Sequence, residues 1–465
     1  MPVLTIQHFM RAPLLLLGFG ELLVLYSAVY AAALVLYGSV DICEESFGSL
    51  VPRATVITVV MLASLVSMGL YQLDQRVYFR DVVARLAVGM LLGSLVLAVL
   101  FYALPAINMS REFAAVAVAY ALSLLLLIRY LFVRRIDTNM FRRRTLIYGA
   151  GERASAIGDL RRKADRRGFK IIGSVPAPGD TQTFERNGVL IRDKSIDLLA
   201  EELDANEIVI AMDDKRGNLP VRDLLNAKLR GVNVLDIVEF LERESGKIRI
   251  DLVNPGWLIF SPGFRASRMR RISKRVVDVL VSSLLIVVTW PIMLVVALCI
   301  KVEDGLTASV LYRQKRVGYR GVEFDVLKFR SMVENAEADG KEVWAKEDDD
   351  RITKVGCVLR KFRLDELPQV FNVIAGTMSL VGPRPERPVF VRRLSETIPY
   401  YSERHTVKPG VTGWAQLRYS YGSSEEDALE KLQYDLYYVK NHNLLLDFII
   451  ILQTVEVVLW GKGSR

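Results

Sequence analysis

Asp365 and Glu366 are adjacent carboxylates within RKFRLDELPQVFNVIAGTMSLVGPRPE (360–386), with Arg360, Lys361 and Arg363 just before them and Arg384 after them. Neighbouring positions on a helix point in different directions, so the two acids suit two different tasks. One carboxylate can attack a phosphorus or carbonyl centre while the other moves a proton or helps to hold a metal. Arginines beside them suit a phosphate-bearing substrate, because the guanidinium fork matches phosphate oxygens in pairs. A charged helix start would account for a lone Asp-Glu pair. Pro368, Gly382, Pro383 and Pro385 add rigid punctuation that a packed helix face does not need.

The elements that must position this pair are readable around it. LKFRSM (327–332) reads as a strand with Lys328 and Arg330 on one face and Phe329 on the other. A solvated sheet face would use the same pattern. Arg384 lies between Pro383 and Pro385, on a loop stiff enough to aim it with little loss of entropy. A surface ion pair is the competing use.

The whole chain has 465 residues, of which 51% are hydrophobic and 24% charged. That is too apolar for an ordinary soluble enzyme and too charged to be membrane throughout, so a membrane portion joined to soluble portions is expected. The net charge of +9 fits basic flanks facing anionic lipid better than a nucleic-acid partner. Cys43, Cys299 and Cys357 are far apart and lack metal-ligand spacing, and three histidines do not make a histidine-rich metal site. No cleavable signal is expected, since the first apolar segment is too long.

Four apolar stretches, about 13–37, 54–72, 82–104 and 113–133, are each near the ~20 residues that cross a bilayer. The first connection is acidic (Asp41, Glu44, Glu45). The second carries Arg76, Arg80 and Arg85, and the fourth stretch is followed by Arg134, Arg135 and Arg142 to Arg144. Positive charge marks the cytoplasmic side, so both ends of a bundle over 1–140 are expected there. From 141 to 263 the texture becomes α/β. Gly149, Gly151 and Ala154 form a G-x-G-x-x-A turn after a strand, the context of a Rossmann-like pyrophosphate site. The next strand ends in Val175-Pro176-Ala177 without an acid for a ribose hydroxyl, so a degenerate or regulatory Rossmann-like domain is expected, closing near Ser261-Pro262-Gly263.

Residues 264–302 hold six basic residues from Arg265 to Arg275 and then an apolar run, Val276 to Ile300. Both flanks of the run are basic and Pro291 interrupts it, with Ser282, Ser283 and Thr289 at hand to satisfy freed backbone groups. A re-entrant helix that kinks at Trp290-Pro291 and returns to the cytoplasmic face fits these charges. A fifth, Pro-kinked span is the alternative. The last portion, 303–465, is polar until LLLDFIIILQTVEVVLW, where Asp447, Gln453 and Glu456 favour an amphipathic helix in the membrane interface.

Three blocks, YRQKRVGYRGVEFDVLKFRSM (312–332), the acidic segment above, and VKPGVTGWAQLRYSYG with YDLYYVKN (407–422 and 434–441), occur in that order. Together they resemble the bacterial sugar transferase family, the monotopic polyprenyl-phosphate phosphoglycosyl transferases. The layout is similar to the large members that begin exopolysaccharide repeat units. The resemblance implies a membrane helical bundle, a Rossmann-like domain, a re-entrant helix and an α/β catalytic domain. It also implies transfer of a sugar-1-phosphate from a UDP-sugar to undecaprenyl phosphate at the inner-membrane cytoplasmic face. In that reaction Asp365 would be the nucleophile and form an acyl-phosphate, Glu366 would assist proton transfer, and Mg²⁺ would neutralise the diphosphate. Arg316 (beside Gln314), Lys328, Arg330, Arg384, Lys408 and Trp414 would contact substrate. Trp414 would stack on the base or else be core. Asp435 would support the metal with Asp365, or else serve a helix start. The family's usual acid after the glycine of AGTMSL is replaced by Thr377. A homo-oligomer is expected.

A membrane nucleotide-sugar dehydratase or epimerase would need an intact dinucleotide turn and a Tyr-x-x-x-Lys pair, and Tyr434 with Lys440 has the wrong spacing. A non-catalytic scaffold of polysaccharide assembly would not need Asp365, Glu366 and Arg384.

Overall fold

A computed structural model describes residues 12–71, 79–104, 108–135, 142–160, 165, 168–180, 194–214, 218–253, 255–261, 263–264, 268–333, 351–419, 422 and 424–459. Arg76, Pro262, Arg265 and the side chain of Glu456 lie outside them. The chain forms two compact units, Met1–Gly246 and Lys247–Arg465.

The first unit begins with the helices α1 (Ala12–Tyr37), α2 (Val40–Phe47), α3 (Leu50–Ser67), α4 (Phe79–Ala103) and α5 (Arg111–Arg135). All but α2 are long and apolar enough to cross a membrane. The acidic connection is itself the short helix α2, begun by the Ser39 side chain accepting from Ile42 N at 3.2 Å. Glu44 then accepts from Leu50 N at 2.8 Å and caps α3. This start, with Pro52 in the tolerant first turn, brings α3 four residues ahead of the apolar stretch. Gly89 and Gly93 on α4 admit α3 closely: a Cβ at Gly93 would stand 2.6 Å from Met61 Sδ.

Inside these apolar helices Glu21 (α1) is fully buried against Arg129 (α5). Arg129 Nη2 donates to Glu21 Oε2 at 2.9 Å and Nη1 to the Leu70 carbonyl at 3.0 Å, while the Tyr71 hydroxyl also donates to Glu21. A buried charge in such a setting persists only when paired in this way.

Next come β1 (Arg143–Tyr148), α6 (Glu152–Gly158), β2 (Phe169–Val175), α7 (Ile196–Glu202), β3 (Glu207–Ile210), α8 (Val221–Leu229), β4 (Asn233–Asp236) and α9 (Ile237–Ser245). The strands form one parallel sheet in the order β2-β1-β3-β4, with Leu146, Tyr148 and Ile208 fully buried. The glycine turn falls between β1 and α6. Its backbone donors are taken by the chain's own acids. Asp213 accepts from Glu152 N at 3.0 Å and Arg153 N at 2.8 Å, and Asp180 accepts from Ala150 N at 2.7 Å. An acid therefore does follow β2, five residues past Val175, but it is spent on the Ala150 and Ala177 amides.

In the second unit, residues 247–253 join the molecule through Lys247, which pairs with Glu430 at 2.8 Å, and Ile248 N, which donates to the Gln433 carbonyl at 3.0 Å. After α10 (Pro255–Phe260), the long helix α11 runs from Arg268 to Asp304 with Pro291 inside it. Its 37 residues span roughly 55 Å at 1.5 Å each, well beyond a ~30 Å hydrocarbon core. The sequence places a kink at Trp290-Pro291, and the helix runs on across it. Of the three hydroxyls expected to support the proline, Thr289 bonds the Leu285 carbonyl at 2.7 Å, while Ser282 Oγ is buried without a partner among the described residues.

The antiparallel pair β5 (Leu311–Val317) and β6 (Glu323–Phe329) sets Tyr312 opposite Lys328 and Arg316 opposite Phe324. Then follow α12 (Lys354–Lys361), a single 3-10 turn (Leu364–Glu366), α13 (Gln369–Ala375), β7 (Ser379–Val381) and α14 (Pro388–Thr397). β8 (Gly410–Thr412) lies parallel to β7, and α15 (Trp414–Arg418), α16 (Glu425–Asn441) and α17 (Leu444–Leu459) complete the unit. Val296 and Ile300 of α11 pack with Phe329 and Leu359, fastening the helix to β6 and α12.

Candidate active site

Asp365 and Glu366 occupy the tight turn between α12 and α13. Arg363 enters that turn in the left-handed region (φ 57°), a conformation that costs a non-glycine residue about 1–2 kcal/mol. The turn separates the two carboxylates. Glu366 Oε1 accepts from Arg384 Nη2 at 2.6 Å and lies 3.4 Å from Lys328 Nζ. Burial alone would raise its pKa, but Arg384 and then Lys328 outweigh it and hold Glu366 well below the usual carboxylate range. Asp365 is buried too, and it goes the other way: burial, then the charge of Glu366, push it up, with Lys328, Arg360 and Arg384 opposing. Burial likewise lowers Lys328, against the pull of Glu366. Two adjacent acids thus differ in character, one committed as a fixed anion and the other a desolvated carboxylate.

Arg384 is held from behind. Arg404, 6% exposed, donates to the Arg384 carbonyl at 2.9 Å, to the Tyr401 hydroxyl at 2.7 Å and to Asp435 Oδ2 at 2.7 Å. Arg316 Nη2 donates to Gln314 Oε1 at 2.6 Å and Nη1 to the Pro385 carbonyl at 3.2 Å, so it grips the proline loop from the β5 side. Asn372 ties α13 to β6, accepting from Leu327 N at 2.9 Å and donating to the Asp325 carbonyl at 2.8 Å. Thr377 donates to the Asn372 carbonyl at 3.2 Å in the turn that follows α13. At Gly382 the chain passes so close to β8 that a Cβ would stand 2.3 Å from the Lys408 carbonyl oxygen.

The structure therefore brings Asp365, Glu366, Lys328 and Arg384 together, with Arg316 of β5 bonded to the proline loop behind. Arg330 directly follows β6, and Phe329 is buried on the opposite face, as the alternation requires. Lys408 lies near Arg275: a Cβ at Gly376 would stand 3.6 Å from its Nζ and 3.4 Å from Arg275. Burial, then Arg275, lower the Lys408 pKa.

Two expected contacts are corrected. Trp414 is 1% exposed, tilted against Tyr437 at 5.9 Å with Arg418 over its ring at 4.3 Å, so it is core and has no face for a base. Asp435 lies 2% exposed in the interior of α16, away from the helix start, with Oδ2 engaged by Arg404. It is a buried ion-pair partner of Arg404. Among the described residues no three acids, histidines or cysteines gather as metal ligands. Mg²⁺ bound through substrate phosphates needs only one or two carboxylates, and Asp365 fits that use, since Glu366 is already engaged. Arg404, Asn372 and the buried polar face of α11 carry no motif of their own and were invisible in the sequence.

The sequence is similar to several known proteins. The bacterial sugar transferase family model matches residues 269–461. A UDP-N-acetylgalactosamine-undecaprenyl-phosphate N-acetylgalactosaminephosphotransferase of Aeromonas hydrophila is 39% identical over 272 residues, 58% of this chain and 62% of that protein. An undecaprenyl-phosphate glucose phosphotransferase of Komagataeibacter xylinus is 30% identical over 70% of this chain and 61% of its own length. A UDP-glucose:undecaprenyl-phosphate glucose-1-phosphate transferase of Klebsiella pneumoniae is 35% identical over 70% of this chain and 69% of its own. The chain thus spans about three fifths of the first two relatives. With the match over the whole acidic turn, its arginine loop and the helix beneath them, the chain belongs to the bacterial sugar transferase family.

Proposed function

We propose that the chain transfers a sugar-1-phosphate from a UDP-sugar to undecaprenyl phosphate, initiating an exopolysaccharide or related glycan. The observation that carries this reading is the divided electrostatics of Asp365 and Glu366 beside Arg384 and Lys328. An Asp365 oxygen attacks the sugar-bearing phosphorus; the bond to the UMP oxygen breaks and UMP leaves with the electron pair. An oxygen of the lipid phosphate then attacks the same phosphorus and releases the Asp365 carboxylate. Both acids are buried, but Arg384 and Lys328 engage Glu366, which leaves Asp365 as the better nucleophile of the pair. Glu366, kept anionic, holds Arg384 and Lys328 where charge builds on the transferring phosphate, and takes a lipid-phosphate proton only in passing. Mg²⁺, held by Asp365 with the substrate phosphates, would neutralise diphosphate charge.

The parallel sheet of the first unit is read as a Rossmann-like domain without a dinucleotide, supported by Asp213 and Asp180 on its glycine turn. We read the chain as a homo-oligomer of the bacterial inner membrane with a re-entrant α11 and the site on the cytoplasmic face; the apolar helices and the basic flanks of α11 support the membrane part of that reading. The test is UMP release by purified full-length protein in detergent, with Mg²⁺, undecaprenyl phosphate and a panel of UDP-sugars. Release from one donor that depends on the lipid, and that falls on the order of 10³-fold or more in Asp365→Asn, is expected. Release unchanged in that variant overturns the nucleophile.

A further inference from the structure

The N-terminal third of α11 carries a polar face that the transfer chemistry does not explain. Lys274 and Asp278 are one turn apart and so share a face. Both meet the outer edge of β7, the strand that runs straight into Gly382-Pro383-Arg384. Asp278 is 5% exposed; its Oδ1 accepts from the Leu380 amide and the Ser379 hydroxyl, each at 3.1 Å. Lys274 Nζ donates to the Val381 carbonyl at 3.1 Å and pairs with Asp447 of α17 at 2.7 Å. The Tyr438 hydroxyl donates to Asp447 at 2.6 Å and lies 3.0 Å from the Val381 carbonyl. The helix therefore offers β7 one acceptor and one donor in succession, as a neighbouring strand would. β8 pairs the other edge, with Ser379 opposite Gly410 and Val381 opposite Thr412.

A buried carboxylate is costly unless paired, and this one is spent on an amide and a hydroxyl. Nothing about membrane anchoring requires it. Three residues beyond Val381, Arg384 reaches Glu366 at 2.6 Å. The same helix face also holds the other half of the site: Arg275 donates to the Val373 and Ile374 carbonyls at the end of α13, whose start follows the acidic turn.

Resting on the proposed function, we propose that Asp278, with Lys274, is a positioning residue for the transfer: it fixes the register of β7 and so the place of Arg384 against Glu366. The membrane helix is thereby part of the frame that aligns the reacting groups.

The test compares Asp278→Ala, Asp278→Asn and, as a control one turn further along the same buried face, Ser282→Ala in the full-length protein. Loss of the acceptor should lower kcat about tenfold or more, with KM for the UDP-sugar changed less than about threefold. Asn keeps an acceptor oxygen for Leu380 and should return kcat to within about threefold of wild type. Ser282→Ala should leave both constants unchanged. Hydrogen exchange supplies a readout independent of turnover: in Asp278→Ala the 379–384 segment should lose protection while α16 keeps its own. Equal loss in the Ala and Asn variants, unchanged kcat in Ala, or exchange rising across the whole unit would overturn the proposal. Absent UMP release in the wild type with the local exchange change intact would sink the proposed reaction and leave the strand-setting role standing.

Discussion

At the scale of single residues, the site depends on geometry that a lysine cannot copy. Arg384→Lys keeps the charge beside Glu366 but loses the planar fork, and kcat/KM is expected to fall roughly 10–100-fold. His405 gives a pH signature. Burial, then the neighbouring Arg404, push its imidazole down to about 4. The unfolded chain protonates it near 6.5, so between those values the unfolded state holds more protons and stability declines as pH falls. Thermal melting from pH 7 to 4.5 should show that decline, with a shallower slope in His405→Gln; equal slopes would assign the acid sensitivity elsewhere. That Glu366 and Arg384 would meet was readable from the flanking cations and the proline-locked loop, although a helix start and a surface ion pair use the same residues. Trp414 was not, because a tryptophan in a Gly-rich turn reads the same whether its face is open or, as here, closed by Tyr437 and Arg418.

At the scale of elements, α16 supports the site through the Asp435–Arg404 ion pair. Asp435→Asn leaves Arg404 buried with a neutral partner, and breaking a buried pair costs about 3–5 kcal/mol. The variant should melt at lower temperature while its Mg²⁺ dependence stays that of wild type. A rise in the Mg²⁺ concentration needed, at unchanged melting temperature, would return Asp435 to the metal site. The strands of the α/β region and the long apolar helices were readable from periodicity and run length. The roles of Arg404 and Asn372 were not, since each bridges elements far apart in sequence and neither has a local pattern. Asp180 and Asp213 illustrate the same limit: the glycine turn announces a ligand, and only three-dimensional placement shows its amides already satisfied from within.

At the scale of the whole molecule, the two units have different ways of holding together. The second starts at Lys247, and its first residues tie to α16 through Glu430 and the Gln433 carbonyl. A fragment of 247–465 in detergent should therefore melt at least about 3 °C above one of 268–465, whose α16 loses those partners. Equal melting temperatures would show that these contacts contribute nothing. The first unit carries its charge pair across a long stretch of chain, for 108 residues separate Glu21 from Arg129. At roughly 5–20 residues per second, the ribosome delivers the arginine about 5–20 s after the glutamate. During that interval the opening helix carries a lone acid, and only when the last helix of the bundle arrives does it gain its counter-ion. The ion pair that ties α1 to α5 therefore forms only once α5 has been made.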